Sequence, residues 1–252
     1  MNKTIVYVGG NKGGTGKSLV AIALADYMKH KRGASVLLIE TDIDNPDVAK
    51  GMGSEVDAVV TADTRHEDGW RTILNTLESS PSSVTIINAG ARDLDTLRLY
   101  GEYLRMGAEA IGADLIVLWV ISHERDSLVA LRNFLQFHTG TVWVVGNRFF
   151  EEAGTFALYH DSKLREDIER RGGGLVLFPI LPRSLAFAIK SDRTSPASLI
   201  GKAPLFDRIV LERWRNLCTD AFVPILGNER RVEAPAPSPS PATGPTPGRK
   251  SE

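Results

Sequence analysis

Short apolar runs rich in β-branched residues alternate along this chain with longer stretches in which apolar side chains recur at helical spacing. The short runs predict strands at 4–8, 35–40, 84–88, 114–121, 141–146 and 174–178. The longer stretches predict helices at 17–31, 67–78, 93–106, 124–138, 158–171 and 205–222. Strands that are buried on both faces have this continuously apolar character. The pattern therefore predicts an α/β fold, a doubly wound and mostly parallel sheet flanked by helices.

The last twenty residues differ from the rest in composition. Six of the thirteen prolines fall between Glu233 and Glu252. Proline donates no backbone hydrogen bond and is poorly tolerated in helix interiors and central strands. We expect one nucleotide-binding domain over residues 1–230 and a disordered, proline-rich tail over 231–252.

Charge and cysteine content narrow the class of protein. The formal net charge of the 252 residues is -1, so the global charge gives no indication of nucleic acid binding. Cys218 is the single cysteine, which excludes a disulfide framework or a multi-cysteine zinc site within one chain. We see no signal peptide, and every apolar run is far shorter than the roughly 20 residues of a membrane-spanning helix. These features predict a cytoplasmic protein without a transmembrane segment.

A glycine-rich loop stands between the first predicted strand and the first predicted helix. Its glycines let consecutive N–H groups point into one concavity, and the following helix adds its positive N-terminal dipole. The loop predicts a site for a polyphosphate, with Lys17 at the β- and γ-phosphates and the Ser18 hydroxyl on Mg²⁺. The predicted nucleotide-binding residues are Gly13, Gly14, Thr15, Gly16, Lys17 and Ser18. The alternative is a glycine-rich turn without a ligand.

Residues 12–18, with the sequence KGGTGKS, resemble the deviant Walker A motif of the ParA/MinD group of P-loop ATPases, which belong to the SIMIBI class. The resemblance implies slow ATP hydrolysis by a homodimer that encloses the nucleotides. It assigns Lys12 to the phosphates of the partner subunit, where a cation supplied in trans offsets charge that develops during phosphoryl transfer. Lys12 and Lys17 are therefore candidate catalytic residues. Without this resemblance, Lys12 is simply a solvated loop lysine.

Carboxylates follow the second predicted strand, at the sheet edge where ligands of open α/β sheets bind. The resemblance assigns Asp42 both to orienting the attacking water and to the Mg²⁺ shell. Asp44 and Asp47 could instead cap a short helix that Pro46 begins.

The strand at 84–88 resembles the Walker B strand of the same group, but it ends in Asn88 instead of aspartate. An asparagine carbonyl can hold a water of the Mg²⁺ shell without adding negative charge. The predicted metal site therefore consists of Ser18, Asp42 and Asn88, and we hypothesise weak metal affinity and slow turnover. Equally, Asn88 could merely end a buried strand.

Two further positions concern the base. The resemblance implies that Asn147 contacts adenine and that the loop containing Pro182 closes over it. The segment from Asn147 lacks the aspartate of the N-K-x-D run typical of guanine-specific GTPases. ATP is therefore favoured over GTP.

Other segments resemble StbB-like and TraL-like proteins of plasmid stabilisation and conjugal transfer. They are residues 40–42 with 45–48, residues 119–121 with 126–127, and the turn at 171–173 that leads to Phe178 and Pro179. They imply a dimerisation switch in plasmid stabilisation, partition or conjugal transfer, with a protein partner and possible binding of nonspecific DNA by Arg208, Arg213 and Arg215. A solvated helix face is the simpler interpretation of those arginines. The alternative functions are an ATP-dependent small-molecule enzyme of the dethiobiotin-synthetase type and a MinD-like positioning ATPase.

Overall fold

A computed structural model describes residues 3–10, 13–90, 94–150 and 156–227, with only the backbone of Phe150. Within these ranges the chain forms one seven-stranded sheet in the order β3-β2-β4-β1-β5-β6-β7, and every neighbouring pair is parallel. The strands are β1 (Lys3–Gly9), β2 (Val36–Glu40), β3 (Ala58–Thr61), β4 (Val84–Asn88), β5 (Ala113–Ile121), β6 (Val142–Asn147) and β7 (Gly174–Phe178). The predicted fold class is confirmed.

Helices connect the strands and cover the sheet. The helices of the described ranges are α1 (Lys17–Asp26), α2 (Asp47–Met52), α3 (Glu67–Ser79), α4 (Leu94–Ala110), α5 (Arg125–Leu135), α6 (Ala157–His160), α7 (Lys163–Arg170), α8 (Arg183–Ser191), α9 (Pro196–Ile200) and α10 (Leu205–Leu226). A π-helical turn, Tyr27–Lys31, extends α1, and a short 3₁₀ turn, Arg148–Phe150, follows β6.

Each face of the sheet carries its own hydrophobic core. In β1, Val6 and Val8 pack into a core with α1 and α10, whereas Ile5 and Tyr7 pack into a second core with α3, α4 and α5. Alternate residues of a strand point to opposite faces, so a strand covered on both sides must be apolar throughout. This explains why the predicted strands are continuous apolar runs.

All six predicted strands are confirmed, but the sequence prediction omitted β3, α8 and α9. The four residues of β3 form an edge strand and are mostly exposed, so β3 lacks the apolar run that marks the buried strands. The single helix predicted at 158–171 is wrong. It divides into α6 and α7, because Ser162 has an extended backbone and begins the second helix. The predicted boundary at residue 230 lies outside the described residues.

The last helix, α10, changes one interpretation of the sequence. Arg215 donates two hydrogen bonds to Asp26, and both side chains are largely buried between α10 and α1. Arg215 is therefore committed to an internal ion pair and is not part of a basic surface for DNA. Cys218, on the same helix, is buried as a small apolar side chain.

No helix among the described residues has the length and apolar character to cross a membrane.

Candidate functional site

The loop between β1 and α1 adopts the backbone geometry of a phosphate cradle. Gly14 and Gly16 have φ angles of +82° and +96°, in the left-handed region that L side chains rarely adopt. Gly16 is also the N-cap of α1, and no side chain caps the first N–H groups of this helix. Those donors and the positive end of the helix dipole therefore point to the loop, where they favour an anion.

A buried asparagine is hydrogen-bonded to the backbone of this loop. The Nδ2 of Asn147, at the end of β6, donates a hydrogen bond of 2.8 Å to the carbonyl oxygen of Thr15. Its Oδ1 accepts a hydrogen bond of 3.1 Å from the N–H of Phe149. A Cβ atom at position 16 would collide with Nδ2 of Asn147. Glycine at this position is thus required by the neighbouring side chain as well as by its φ angle.

The loop opens onto a cavity of about 510 Å³. Lys17, which is buried, and Ser18, which is half-buried, line it from the start of α1. The remaining lining residues are Gly13, Gly14, Gly16, Leu19, Ile22, Asp42, Asn45, Asp47, Ala89, Ala186, Ile189 and Lys190. The cavity is therefore bounded by the phosphate loop, by the segment after β2, by the end of β4 and by α8.

The segment after β2 carries the predicted metal-side carboxylates. Asp42 is half-buried and its Oδ1 accepts a hydrogen bond of 3.1 Å from the N–H of Asn45. Asp47 begins α2 and forms an ion pair of 3.5 Å with Lys190 of α8. Asp44 is exposed and pairs with Arg65 at 3.2 Å. Pro46 stands at the N-cap of α2, which has no side-chain cap, so the predicted capping by Asp44 or Asp47 is wrong.

A fully buried carboxylate, Glu40, lies at the end of β2 beside this segment. Its Oε1 accepts hydrogen bonds from the N–H of Asp42 (3.1 Å) and from Nδ2 of Asn88 (2.7 Å). Its Oε2 accepts one from the N–H of Ala49 (3.2 Å). Burial disfavours the charged form and raises the pKa of Glu40 above its usual value, although these hydrogen bonds oppose the shift.

Asn88, the last residue of β4, is 1% exposed. While its Nδ2 donates to Glu40, its Oδ1 is buried and has no hydrogen-bond partner within the described ranges. The backbone of Asn88 is also held, because the hydroxyl of Thr41 donates to its carbonyl oxygen (3.1 Å) and accepts from the N–H of Gly90 (3.0 Å). A buried acceptor without a donor is rare in folded proteins and calls for an explanation.

The predicted site residues fall into three groups. Gly13, Gly14, Gly16, Lys17, Ser18 and Asp42 line one cavity. Thr15, Asn88 and Asn147 are buried, and none of them lines that cavity. Pro182 is exposed at the N-cap of α8, and Lys12 lies outside the described residues.

The sequence prediction gave no role to Glu40, to Thr41 or to the cavity wall formed by α8. One signal for Glu40 was available, because a carboxylate directly after the apolar run Val36–Ile39 has to find donors when its strand is buried. The wall formed by Ala186, Ile189 and Lys190 belongs to a helix that the prediction omitted.

The cavity fits a nucleoside triphosphate with Mg²⁺. The phosphate cradle, the buried Lys17 and the Ser18 hydroxyl suit a polyphosphate, and the carboxylate of Asp42 suits a hard cation. No cluster of three or more His, Cys, Asp or Glu side chains in the described part of the chain could hold a metal ion. A Mg²⁺ ion here would therefore take most of its ligands from phosphate and water.

Comparison with known proteins identifies a family of nucleotide-binding domains. Residues 6–197 match the CobQ/CobB/MinD/ParA nucleotide binding domain. Protein MobD of Acidithiobacillus ferrooxidans is 41% identical over 218 residues, which cover 86% of this chain and 95% of that protein.

Solved structures with a similar fold include the septum site-determining protein MinD from Pyrococcus horikoshii OT3 in complex with Mg-ADP. It is 16% identical, with a TM-score of 0.54 and coverage of 86% of this chain and 95% of MinD. A ParA family ATPase from Chlorobium tepidum TLS is 12% identical, with a TM-score of 0.53 and coverage of 85% and 98%. Together with the match over more than half of the sequence, these results show that the chain belongs to the CobQ/CobB/MinD/ParA family of nucleotide-binding domains.

Proposed function

We propose that this protein binds Mg-ATP at the β1–α1 loop, hydrolyses it slowly and dimerises around the bound nucleotides. The observation that carries the proposal is the phosphate cradle, in which Gly14 and Gly16 adopt left-handed backbone angles and Lys17 and Ser18 line the same cavity. A chance glycine-rich turn would not need a buried lysine and a buried asparagine to support it.

In this proposal each wall of the cavity has a defined role. The N–H groups of residues 13–18 and the Lys17 ammonium bind the phosphates. Ser18 and Asp42 would hold Mg²⁺, directly or through water, and Asn88 would present its Oδ1 to a water of that shell. When bound, Mg²⁺ would neutralise negative charge on the β- and γ-phosphate oxygens. Asp42 orients the attacking water, and Lys12 of the partner subunit offsets charge on the transferred phosphoryl group.

In the same proposal, Asn147 contacts the adenine and the loop that contains Pro182 closes over it. In the structure Asn147 uses its amide to hold Thr15, so a contact with adenine has to be made beside this hydrogen bond or after exchanging it. The MinD structure with a similar fold was solved with Mg-ADP, which supports an adenine nucleotide.

For the cellular role, we propose plasmid mobilisation or partition in the cytoplasm, with a protein partner encoded by the same system. The identity to MobD over nearly its whole length supports mobilisation. Nonspecific DNA remains a proposed ligand. Of the predicted basic residues on α10, Arg208 and Arg213 are exposed, whereas Arg215 pairs with Asp26.

The test compares the wild type with Lys12→Ala and Lys17→Ala in ATP and GTP binding, hydrolysis and light scattering. We expect Mg-ATP to produce a wild-type dimer. Lys17→Ala should lose ATP affinity, whereas Lys12→Ala should keep affinity but lose the dimer. Absence of ATP binding by the wild type would overturn the proposal. Turnover that requires a small metabolite would instead support an enzyme of the dethiobiotin-synthetase type.

A further inference from the structure

The metal-side wall of the cavity is organised around one acceptor. Glu40 lies next to Asn88 in the parallel register of β2 and β4. Its carboxylate collects three N–H donors, from Asp42, Ala49 and Asn88. Burial raises the pKa of Glu40, and the hydrogen bonds from these three donors lower it. Backbone and side-chain amide donors therefore stabilise this buried carboxylate.

Two of those donors lie at opposite ends of the segment 41–49, which we call the β2–α2 segment. This segment contributes Asp42, Asn45 and Asp47 to the cavity wall. Because Glu40 binds the N–H groups of Asp42 and Ala49, it fixes the segment at both ends. The third donor, Nδ2 of Asn88, fixes which way the Asn88 amide is turned and leaves Oδ1 as the unpaired end.

We propose that Glu40 is a positioning residue for the metal site and that asparagine at position 88 is its obligate partner. This inference rests on the proposed function for its connection to Mg²⁺. An aspartate at position 88 would bring a second carboxylate within 2.7 Å of the Glu40 oxygen, so the pair would repel unless one of the two took up a proton. Asn88 is thus matched to Glu40 and is not a weakened copy of an aspartate.

The proposal reverses the expectation from sequence for Asn88→Asp. If Asn88 only lacked a charge, the substitution would strengthen Mg²⁺ binding. If Glu40 positions the site, Asn88→Asp should instead repel Glu40, release the β2–α2 segment and weaken Mg²⁺ binding. Adding Glu40→Gln should restore part of the loss, because the glutamine amide can donate to the new aspartate. The recovery is partial, since that amide nitrogen cannot also accept from the N–H of Asp42.

The experiment is a double-mutant cycle in the full-length chain with wild type, Asn88→Asp, Glu40→Gln and the double variant. A fluorescent ATP analogue is first titrated without Mg²⁺ to measure nucleotide affinity. Mg²⁺ is then added to the bound analogue, and the Mg²⁺ concentration that gives half of the fluorescence change is the midpoint. We expect each single variant to raise this midpoint about tenfold or more, as for other groups that orient metal ligands. The double variant should lie closer to wild type than either single variant. Nucleotide affinity without Mg²⁺ should be unchanged throughout.

Asp44→Asn is the matched control, since Asp44 lies in the same segment but bonds Arg65 and not Glu40. It should leave the midpoint unchanged. A tighter midpoint in Asn88→Asp alone, or additive effects of the two substitutions, would overturn the proposal. If a charged variant does not fold, Asn88→Ala replaces it in the cycle with Glu40→Gln. Alanine removes both Nδ2 and Oδ1 without adding charge, and additive effects of Asn88→Ala and Glu40→Gln would count against the proposal.

Thermal unfolding of the nucleotide-free proteins separates this inference from the proposed function. Coupling between positions 40 and 88 should appear in the melting temperatures whether or not the wild type binds ATP. If the wild type binds no ATP but the coupling is present, the proposed function fails and the Glu40–Asn88 pairing stands. If ATP binds but neither the midpoint nor the stability shows coupling, only the positioning role fails.

Discussion

Two buried asparagines end strands on either side of β1, and their side chains are used differently. Asn147, at the end of β6, has both polar ends occupied, one by the Thr15 carbonyl and one by the Phe149 N–H. Asn88, at the end of β4, has only its Nδ2 occupied, by Glu40. The hydrogen bonds of Asn147 are thus all made within the protein. Asn88 keeps one buried acceptor, its Oδ1, that a ligand or a water could use.

The difference separates support of the phosphate loop from recognition of a ligand. A satisfied buried amide fixes its neighbours, and its removal leaves a buried carbonyl short of a donor. An unsatisfied buried acceptor lowers stability until a donor arrives, and such positions are found at binding sites. We therefore expect substitutions around Asn147 to affect folding and every phosphate ligand, and substitutions around Asn88 to affect mainly the metal.

The largest effect is expected for Gly16→Ala. A left-handed φ costs an alanine about 1–2 kcal/mol, and the collision of its Cβ with Asn147 adds overpacking of about 1–3 kcal/mol. ATP affinity should fall about a hundredfold or more, measured by titration of a fluorescent analogue. Gly14→Ala is the control, because it has the same sign of φ but meets no atom within 4 Å. Equal effects of the two substitutions would show that Asn147 does not constrain the loop.

Asn147→Ala should have the next largest effect. It removes the hydrogen bond from Nδ2 to the Thr15 carbonyl, so we expect a loss of about 1–3 kcal/mol in the free energy of unfolding, measured in urea. Comparing ATP with inorganic triphosphate then separates two roles. If Asn147 supports the loop, both ligands bind more weakly by the same factor. If it contacts adenine, as the sequence predicts, ATP loses affinity and triphosphate does not.

Thr41→Val tests the backbone that holds Asn88. Valine has the shape of threonine but cannot accept from the Gly90 N–H or donate to the Asn88 carbonyl. That carbonyl also accepts from the backbone N–H of Thr41 and so keeps a donor, whereas the N–H of Gly90 loses the Thr41 hydroxyl. We expect a loss of about 1–2 kcal/mol in unfolding free energy by thermal or urea denaturation. If Thr41→Val lowered the free energy of unfolding as much as Gly16→Ala, the segment after β2 would be as tightly constrained as the phosphate loop.

The smallest effect is expected for Lys190→Ala, on the wall formed by α8. Its ion pair with Asp47 is 3.5 Å long and the lysine side chain is 73% exposed. Exposed pairs contribute about 0–1 kcal/mol, so the melting temperature should hardly change. A large change would show that the contact between α8 and α2 also constrains the cavity wall.

The sequence was sufficient to predict those parts of the fold that depend on local pattern. Strands buried on both faces appear as apolar runs, and the phosphate loop follows from the spacing of its glycines and Lys17. The edge strand β3 gave no such run, because its side chains are mostly exposed.

Contacts between distant strands could not be predicted in the same way. The bond between Glu40 and Asn88 joins residues 48 positions apart and depends on the register of β2 against β4. The bond from Asn147 to Thr15 spans 132 positions and depends on the order of β1, β5 and β6 in the sheet. Neither residue type nor periodicity contains this information.

The position of Gly227, the residue that follows α10, has a practical consequence for experiments on immobilised protein. The carbonyl oxygen of Gly227 accepts a hydrogen bond of 2.8 Å from Arg32, just beyond the π-helical turn that extends α1. The helical turns from Lys17 to Lys31 have a rise of roughly 22 Å, so this point is well removed from the phosphate loop. Protein that is attached to a biosensor surface through the residues after Gly227 should therefore keep its cavity accessible to nucleotides in solution.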